Sequence, residues 1–135
     1  MSEISMPCVY FKAAGRRNTA RTLELVRDRA KDLGIHKVLV ATTSGSTGAQ
    51  AAKVLQELEV VVVTHSTGFR EPDTQELTDE NRMAIEAAGA TILTCQHAFG
   101  GVGRGVRKKL GTYELEEIIA YTLRTFCEGM KVAAE

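Results

Sequence analysis

Four consecutive valines, Val60 to Val63, constrain the fold of this chain more than any other feature. Adjacent β-branched apolar residues favour a strand, and the lack of polar alternation indicates a strand covered on both faces. Such strands are typical of parallel sheets, in which helices connect one strand to the next. The valine run therefore predicts an α/β fold, in which helices and strands must alternate along the chain.

Helical and strand patterns do alternate from one end of the sequence to the other. Apolar spacing predicts a first helix from Asn18 or Thr19 to Leu33, with Gly34 in the position of a C-terminal cap. Short connections between alternating elements indicate one parallel sheet with right-handed crossovers. The predicted strands are 36–42, 60–64, 91–94 and a last strand beginning at 131–134; the later helices are predicted to end near 57, 89 and 128.

Two segments near the C-terminus carry more specific predictions. The glycines of Phe99–Gly105 predict that this segment is not ordinary helix. The helix that opens at Thr112 is strongly amphipathic, and Gly129 ends it. Its apolar stripe is predicted to face the core and consists of Leu115, Ile118, Ile119, Leu123 and Phe126.

The composition argues against several classes of protein. The 135 residues have room for a single domain, 1–135, with one core. Seventeen basic residues balance seventeen acidic ones, which argues against a nucleic-acid-binding protein. No apolar run is long enough to span a membrane, and no signal peptide is recognisable. The widely separated Cys8, Cys95 and Cys127 predict reduced thiols in the cytoplasm, without a disulfide framework or a metal site.

Three polar loops follow predicted strands and should meet at one edge of the sheet, where parallel sheets bind their ligands. The first, Thr42–Gly48, combines small residues and hydroxyls with a helix start, which suits a phosphate group. It lacks the lysine of a nucleotide-binding P-loop, and an ordinary strand-to-helix turn remains the alternative. A valine in place of Gly45 is expected to block a ligand without disturbing the fold.

The other two loops add basic and aromatic groups. His65 and His97 each follow a strand and are candidates for acid–base catalysis, or for polar residues that only line a ligand pocket. The glycine-rich third loop leads into Arg104, Arg107 and two lysines, which predicts either an anion site or a solvated basic surface. Neither a nucleophile elbow nor a cluster of metal-binding carboxylates is present in the three loops.

Motifs spread over nearly the whole chain form a recognisable combination. They include Gly15–Thr19, Ser44–Gly48, Val62–Phe69, Gly89-Ala90 and His97–Phe99. With these motifs the chain resembles a family of small prokaryotic proteins related to the C-terminal α/β domain of pyruvate kinase. The resemblance implies a three-layer α/β/α domain with a mostly parallel sheet. It also implies that the sheet of full-length relatives continues beyond the position of Glu135, so this chain is expected to be incomplete there.

For function, the resemblance implies binding and not pyruvate kinase activity, whose catalytic part is a barrel of roughly 250 residues. In some pyruvate kinases the loop that matches Thr43–Gly48 grips the phosphate of a sugar-bisphosphate effector. Some small relatives are thought to hold flavin mononucleotide (FMN), which makes FMN the leading candidate ligand. The predicted binding residues are Thr43, Ser44, Gly45, Ser46, Thr47, Gly48, His65, Thr67, Gly68, Phe69, His97, Phe99 and Arg104, with Phe69 and Phe99 flanking the ring.

Two alternative functions remain open. One is an enzyme that acts on a phosphorylated metabolite, with His65 or His97 as the acid–base group. The other is a regulatory or structural subunit, because a sheet that ends early leaves unpaired backbone groups that a partner must cover. Self-association, or a partner strand at the open sheet edge, is therefore expected.

Overall fold

The computed structural model describes residue 3 and residues 5–135. After a short 3-10 turn at Arg16–Asn18, helices and strands alternate up to β3, and three helices complete the chain. The elements are α1 (Thr19–Leu33), β1 (Lys37–Ala41), α2 (Ser46–Val54), β2 (Glu59–His65), α3 (Asp79–Ala87), β3 (Thr91–Cys95), α4 (Val102–Leu110), α5 (Leu115–Arg124) and α6 (Glu128–Ala134).

The three strands form one parallel sheet in the order β1-β2-β3. Val40 of β1 pairs with Val62 of β2, and Val62 pairs in turn with Ile92 of β3. The valine run is thus the central strand, with a hydrogen-bonded neighbour on each side. The prediction of a parallel α/β sheet is confirmed.

The main core lies on the face of the sheet that carries the even-numbered residues of β2. Val60 and Val62 pack there against Leu23 of α1, Ala51 of α2 and Ile85 of α3. Because one cluster contains residues from all three helices, α1, α2 and α3 form a single layer. Gly48 permits close packing in this layer, since a Cβ at that position would lie 2.5 Å from Val62 Cγ1.

The opposite face carries the odd-numbered strand residues, including Leu39, Val63 and His65, and faces the layer that contains α6. The domain therefore has three layers, with α1–α3 on one side of the sheet and α4–α6 on the other. Coverage of this second face is incomplete, because Leu39 keeps 67% of its surface exposed. The prediction that β2 is covered on both faces holds fully for the face of the even-numbered residues. On the other face, the odd-numbered residues of β2 from Val61 to His65 are half-buried.

Two helix ends follow from local sequence signals. Gly34 ends α1 in the left-handed conformation (φ 63°), as predicted, and its N–H donates to the carbonyl of Lys31. Thr78 caps α3 by accepting a hydrogen bond from the Asn81 N–H at 3.3 Å. Asn18 precedes α1 but its side chain makes no cap bond to the helix; it donates instead to the carbonyl of Ala13.

The C-terminal third of the chain corrects two predictions. Residues 131–134 belong to helix α6 and not to a strand, because a short apolar run is compatible with either and here Cys127 caps a helix. The segment Phe99–Gly105 was predicted not to be helix, but α4 begins at Val102. Its Gly103 is buried against Glu116, whose carboxylate occupies the space of a Cβ, so packing outweighs the low helix propensity of glycine.

Helix α5 corrects a third prediction, that its apolar stripe faces the core. Leu115 is 70% exposed, and Ile118 is also exposed. Phe126, which is 74% exposed, lies beyond the end of α5 at Arg124. The side chains that α5 buries are Glu117 and Ala120. Glu117 Oε1 forms an ion pair with Arg107 of α4 at 3.0 Å, and its Oε2 is buried without a hydrogen-bond partner among the described residues. None of the described helices combines the length and apolarity needed to cross a bilayer.

Candidate functional site

A cleft of about 760 Å³ opens between the second face of the sheet and helix α6, at the carboxyl ends of the strands. Its volume lies within the range of roughly 300–1,000 Å³ that is typical of small-molecule sites. The sheet contributes apolar side chains from Leu39, Ala41 and Val63, and α6 contributes Val132 on the opposite side. The ends of the strands contribute the polar groups, so one cleft combines an apolar interior with a polar end.

The loop after β1 forms part of that polar end. Ser44, Ser46 and Thr47 line the cleft, and Thr42 Oγ1 accepts a hydrogen bond from the Gly45 N–H at 3.1 Å. The first intrahelical bond of α2 runs from the Ala49 N–H to the Gly45 carbonyl. The N–H groups of Ser46 and Thr47 precede that bond and lack intrahelical acceptors, as at any helix start. They are available to a negatively charged group in the cleft.

The two glycines of this loop face away from the cleft. Gly45 is buried and has a φ of 95°, and a Cβ there would lie 2.5 Å from Leu77 Cδ1 and 2.6 Å from Asn81 Cβ. Asn81 also anchors the loop, because its Nδ2 donates to the Ser44 carbonyl at 2.9 Å. Gly45 and Gly48 therefore hold the loop against α3 and β2, and the ligand-facing positions are their neighbours.

His65, the last residue of β2, is oriented by a carboxylate. Its Nδ1 lies 2.5 Å from Oε2 of Glu76, and Oε1 of the same carboxylate accepts from Arg70 Nε at 2.8 Å. Glu76 is largely buried, so this contact is shielded from water. A carboxylate on Nδ1 fixes the ring orientation and leaves Nε2 free for a ligand or a proton transfer.

Three rings and a guanidinium group form a stacked cluster at the polar end. The rings of His65 and Phe69 stack with centroids 3.9 Å apart, and the His97 ring lies 5.1 Å from His65. Arg104 of α4 covers the other part of this cluster, with its Cζ 4.5 Å from the Phe69 centroid. The contact between cation and ring orders Arg104 without a carboxylate.

Burial lowers the pKa of His97, and the nearby His65, Lys131 and Arg104 lower it further, although Glu135 opposes the shift. Glu135 Oε2 lies 3.9 Å from His97 Nδ1, and its Oε1 lies 3.4 Å from the Phe99 N–H. His97 is therefore mainly neutral near pH 7, and its ring can accept or donate a hydrogen bond.

The charged side chains of the cleft are not fully balanced. Arg124 pairs with Glu128 at 2.7 Å, and Lys131 pairs with Glu135. Arg16 and Arg104 also line the cleft, and within residues 3 and 5–135 neither forms an ion pair. Two positive charges thus remain available for an anionic ligand.

The predicted binding residues fall into four groups according to which cavity they line. Thr43, Ser44, Ser46, Thr47 and His65 line the main cleft, and Thr67 and Gly68 line a smaller neighbouring cavity. Phe69, His97 and Arg104 line both. Gly45, Gly48 and Phe99 line neither, so the structure does not bring Phe99 to the position of a ring-flanking residue.

Several residues of the site carried no sequence signal. Glu76 lies in an irregular polar stretch, eleven residues from His65, and only the folded chain brings the two together. The contribution of Val132 and Lys131 was hidden because their segment resembled a strand. Arg16 belongs to the Gly15–Thr19 motif, but the sequence did not predict that it lines the cleft.

A family model places this architecture among known proteins. The model described as "Pyruvate kinase, alpha/beta domain" matches residues 20–132 of the chain. That span runs from α1 into α6 and includes the whole sheet. The chain belongs to the pyruvate kinase alpha/beta domain family.

Membership in this family confirms the resemblance seen in the sequence motifs and agrees with the three-layer fold. The matched span also contains most of the residues that line the cleft, from Leu39 to Val132, although Arg16 lies before it and Glu135 after it. Family membership concerns the domain and identifies no ligand.

Proposed function

We propose that this protein binds a phosphorylated small molecule in the cleft between the sheet and α6, with FMN as the leading candidate. The observation that carries the proposal is the convergence of free N–H groups at the α2 start and the unpaired Arg16 on one cleft of suitable volume. A phosphate monoester has a charge of about −1.5 to −2 at pH 7, so it complements this end of the cleft.

The apolar part of the cleft supports a ligand with a flat, weakly polar portion. Leu39 and Val63 on the sheet and Val132 on α6 would contact its two faces. Leu39 is mostly exposed, and a ring that covered it would remove apolar surface from water, which is favourable. An isoalloxazine ring with a phosphate-bearing chain has this division of properties.

A titration that compares FMN with riboflavin tests the phosphate contacts, because the two molecules differ only in the phosphate. We expect FMN to bind at least about tenfold more tightly than riboflavin, because its phosphate forms charge-assisted hydrogen bonds. Quenching of flavin fluorescence measures both affinities. Arg16→Gln should remove most of the difference, whereas Arg17→Gln, on a neighbouring residue that does not line the cleft, should preserve it. Equal affinities for both flavins would refute the phosphate site.

A second pair of variants tests the ring contacts. Leu39→Asn places an amide in the apolar part of the cleft and should weaken FMN and riboflavin alike. Leu33→Asn is the matched control, because Leu33 is also exposed but lies at the end of α1, outside the cleft. If both variants bind FMN like the wild type, the ring does not occupy the cleft.

The contact between His65 and Glu76 favours a second candidate function, an enzyme that acts on a phosphorylated metabolite with His65 as acid–base group. A panel of phosphorylated sugars and keto acids, followed by ³¹P NMR, would reveal turnover. Turnover that is lost in His65→Gln while FMN affinity is retained would support catalysis. Turnover that persists in that variant would exclude His65 from the chemistry.

We also propose that the protein self-associates through the exposed apolar side of α5. Leu115 and Ile118 of α5, together with Phe126 just beyond its end, expose large apolar surfaces of the kind that marks interaction sites. Sedimentation equilibrium should show a dimer or larger species that Phe126→Ser weakens. A monomer at high protein concentration would contradict this proposal.

A further inference from the structure

A second cavity, here called the Lys108 pocket, lies beside the main cleft. It has a volume of about 200 Å³ and is lined by Ser66–Phe69 after β2 and by residues of the β3–α4 segment, including Arg104 and Lys108. Phe69, Gln96, His97 and Arg104 line both cavities, so the two are neighbours. Ser66, Thr67, Gly68 and Lys108 line only the smaller one.

The Lys108 pocket has uncompensated positive charge. Arg104 and Lys108 are four residues apart on α4, a spacing at which like charges repel one another. No aspartate or glutamate lines the pocket, and in the described part of the chain neither cation takes part in an ion pair. The stack of Arg104 on Phe69 holds the guanidinium group in this position in the absence of a carboxylate. An anion in the pocket would relieve the repulsion.

The backbone around the pocket leaves room for a small oxyanion. A Cβ at Gly100 would lie 3.3 Å from Arg104 Nη2, and one at Gly101 would collide with the Gln96 side chain. Because both positions are glycine, the main chain can approach the Gln96 amide and the Arg104 guanidinium group closely. Ser66 and Thr67, which also line the pocket, add two hydroxyl groups.

The size of the pocket limits the ligand. At about 30 Å³ per water molecule, 200 Å³ corresponds to roughly seven waters. This is enough for a phosphate group with part of its hydration, and it is below the range of sites that enclose a whole small molecule.

We propose that the Lys108 pocket is a second anion site, which binds a phosphoryl-sized oxyanion separately from the ligand of the main cleft. Arg104 and Lys108 supply the charge, and Ser66 and Thr67 supply neutral hydrogen bonds. The proposal goes beyond the proposed function and does not depend on it. Arg104 lines both cavities, but Lys108 and both hydroxyl residues line only the smaller one, and the proposed function rests on Arg16.

Two-dimensional ¹H–¹⁵N NMR of the full chain, titrated with inorganic phosphate and separately with chloride at equal ionic strength, tests this site. The amides of Gly68, Gly100 and Gly105 report on the Lys108 pocket, and those of Ser46 and Thr47 report on the main cleft. We expect saturable phosphate shifts at the three glycines that chloride does not reproduce. Lys108→Gln should weaken this phosphate binding about tenfold, as expected for loss of a charged hydrogen-bond donor.

Lys109→Gln is the matched control, because it removes the same charge from the next residue of α4, which does not line the pocket. It should change phosphate affinity by less than about twofold, as a solvent-screened surface charge does. Equal losses in both variants, or equal shifts with chloride, would overturn the proposal in favour of general surface charge. Shifts confined to Ser46 and Thr47 would overturn the second site and leave the proposed function intact. The same spectra show whether each variant is folded.

Discussion

Replacement of Gly45 by alanine separates a structural role of this glycine from a role in ligand binding. The sequence led to the expectation that a side chain here would block a ligand and leave the fold unchanged. In the structure, a Cβ at Gly45 points at Leu77 and Asn81, 2.5 and 2.6 Å away, and not into the cleft. We therefore expect Gly45→Ala to destabilise the domain.

The size of the effect has two parts. A φ of 95° is strained for an L-residue and costs about 1–2 kcal/mol. The collision with Leu77 and Asn81 adds about 1–3 kcal/mol of overpacking. Gly89→Ala measures the first part alone, because Gly89 has a φ of 80° but nothing within 4 Å of its Cβ position.

Urea denaturation followed by circular dichroism gives the free energy of unfolding of both variants and of the wild type. Gly45→Ala should lower the free energy of unfolding by about 1–3 kcal/mol more than Gly89→Ala does. The slope of this free energy against urea concentration should stay unchanged. At the same time, any loss of FMN affinity should disappear when the comparison is restricted to the folded fraction. If Gly45→Ala is as stable as Gly89→Ala yet binds FMN poorly, the glycine faces the ligand and the reasoning is refuted.

Two further predictions follow from the same packing and charges. Gly48→Ala should lower the free energy of unfolding by about 1–3 kcal/mol, because the added Cβ would lie 2.5 Å from Val62 Cγ1. A variant as stable as the wild type would contradict the close contact of α2 with β2. Since burial lowers the pKa of His97, the unfolded chain binds a proton there more readily than the folded protein does. Stability should therefore rise with pH through the window that ends near the unfolded pKa of about 6.5, and this rise should be smaller in His97→Gln. An NMR titration that places the pKa of His97 above 6.5 would reverse the sign.

The strands and the first three helices could be predicted from the sequence because each carries a strong local signal that tertiary packing reinforces. Val60–Val63 places four β-branched residues in a row, which favours a strand, and Gly34 marked the end of α1. The convergence of the loops after β1, β2 and β3 followed from the parallel arrangement alone, since all three leave the same edge.

The predictions that failed concern segments whose local signals were ambiguous. The run 131–134 is too short for its periodicity to separate strand from helix, and the glycines of 100–105 concealed a helix start. The stripe on α5 was genuine, but amphipathicity does not say which apolar surface a helix meets, and most of this stripe faces outward. Glu76 illustrates the general limit, because its contact with His65 exists only through the path of an irregular loop.

The most direct test of the central claim, that the cleft between the sheet and α6 holds a phosphorylated ligand, is a visible absorption spectrum of freshly purified protein. Mass spectrometry of whatever heat releases should follow on the same sample. We predict a flavin band and the release of FMN. A colourless protein that releases no phosphorylated molecule and does not bind added FMN would contradict the account.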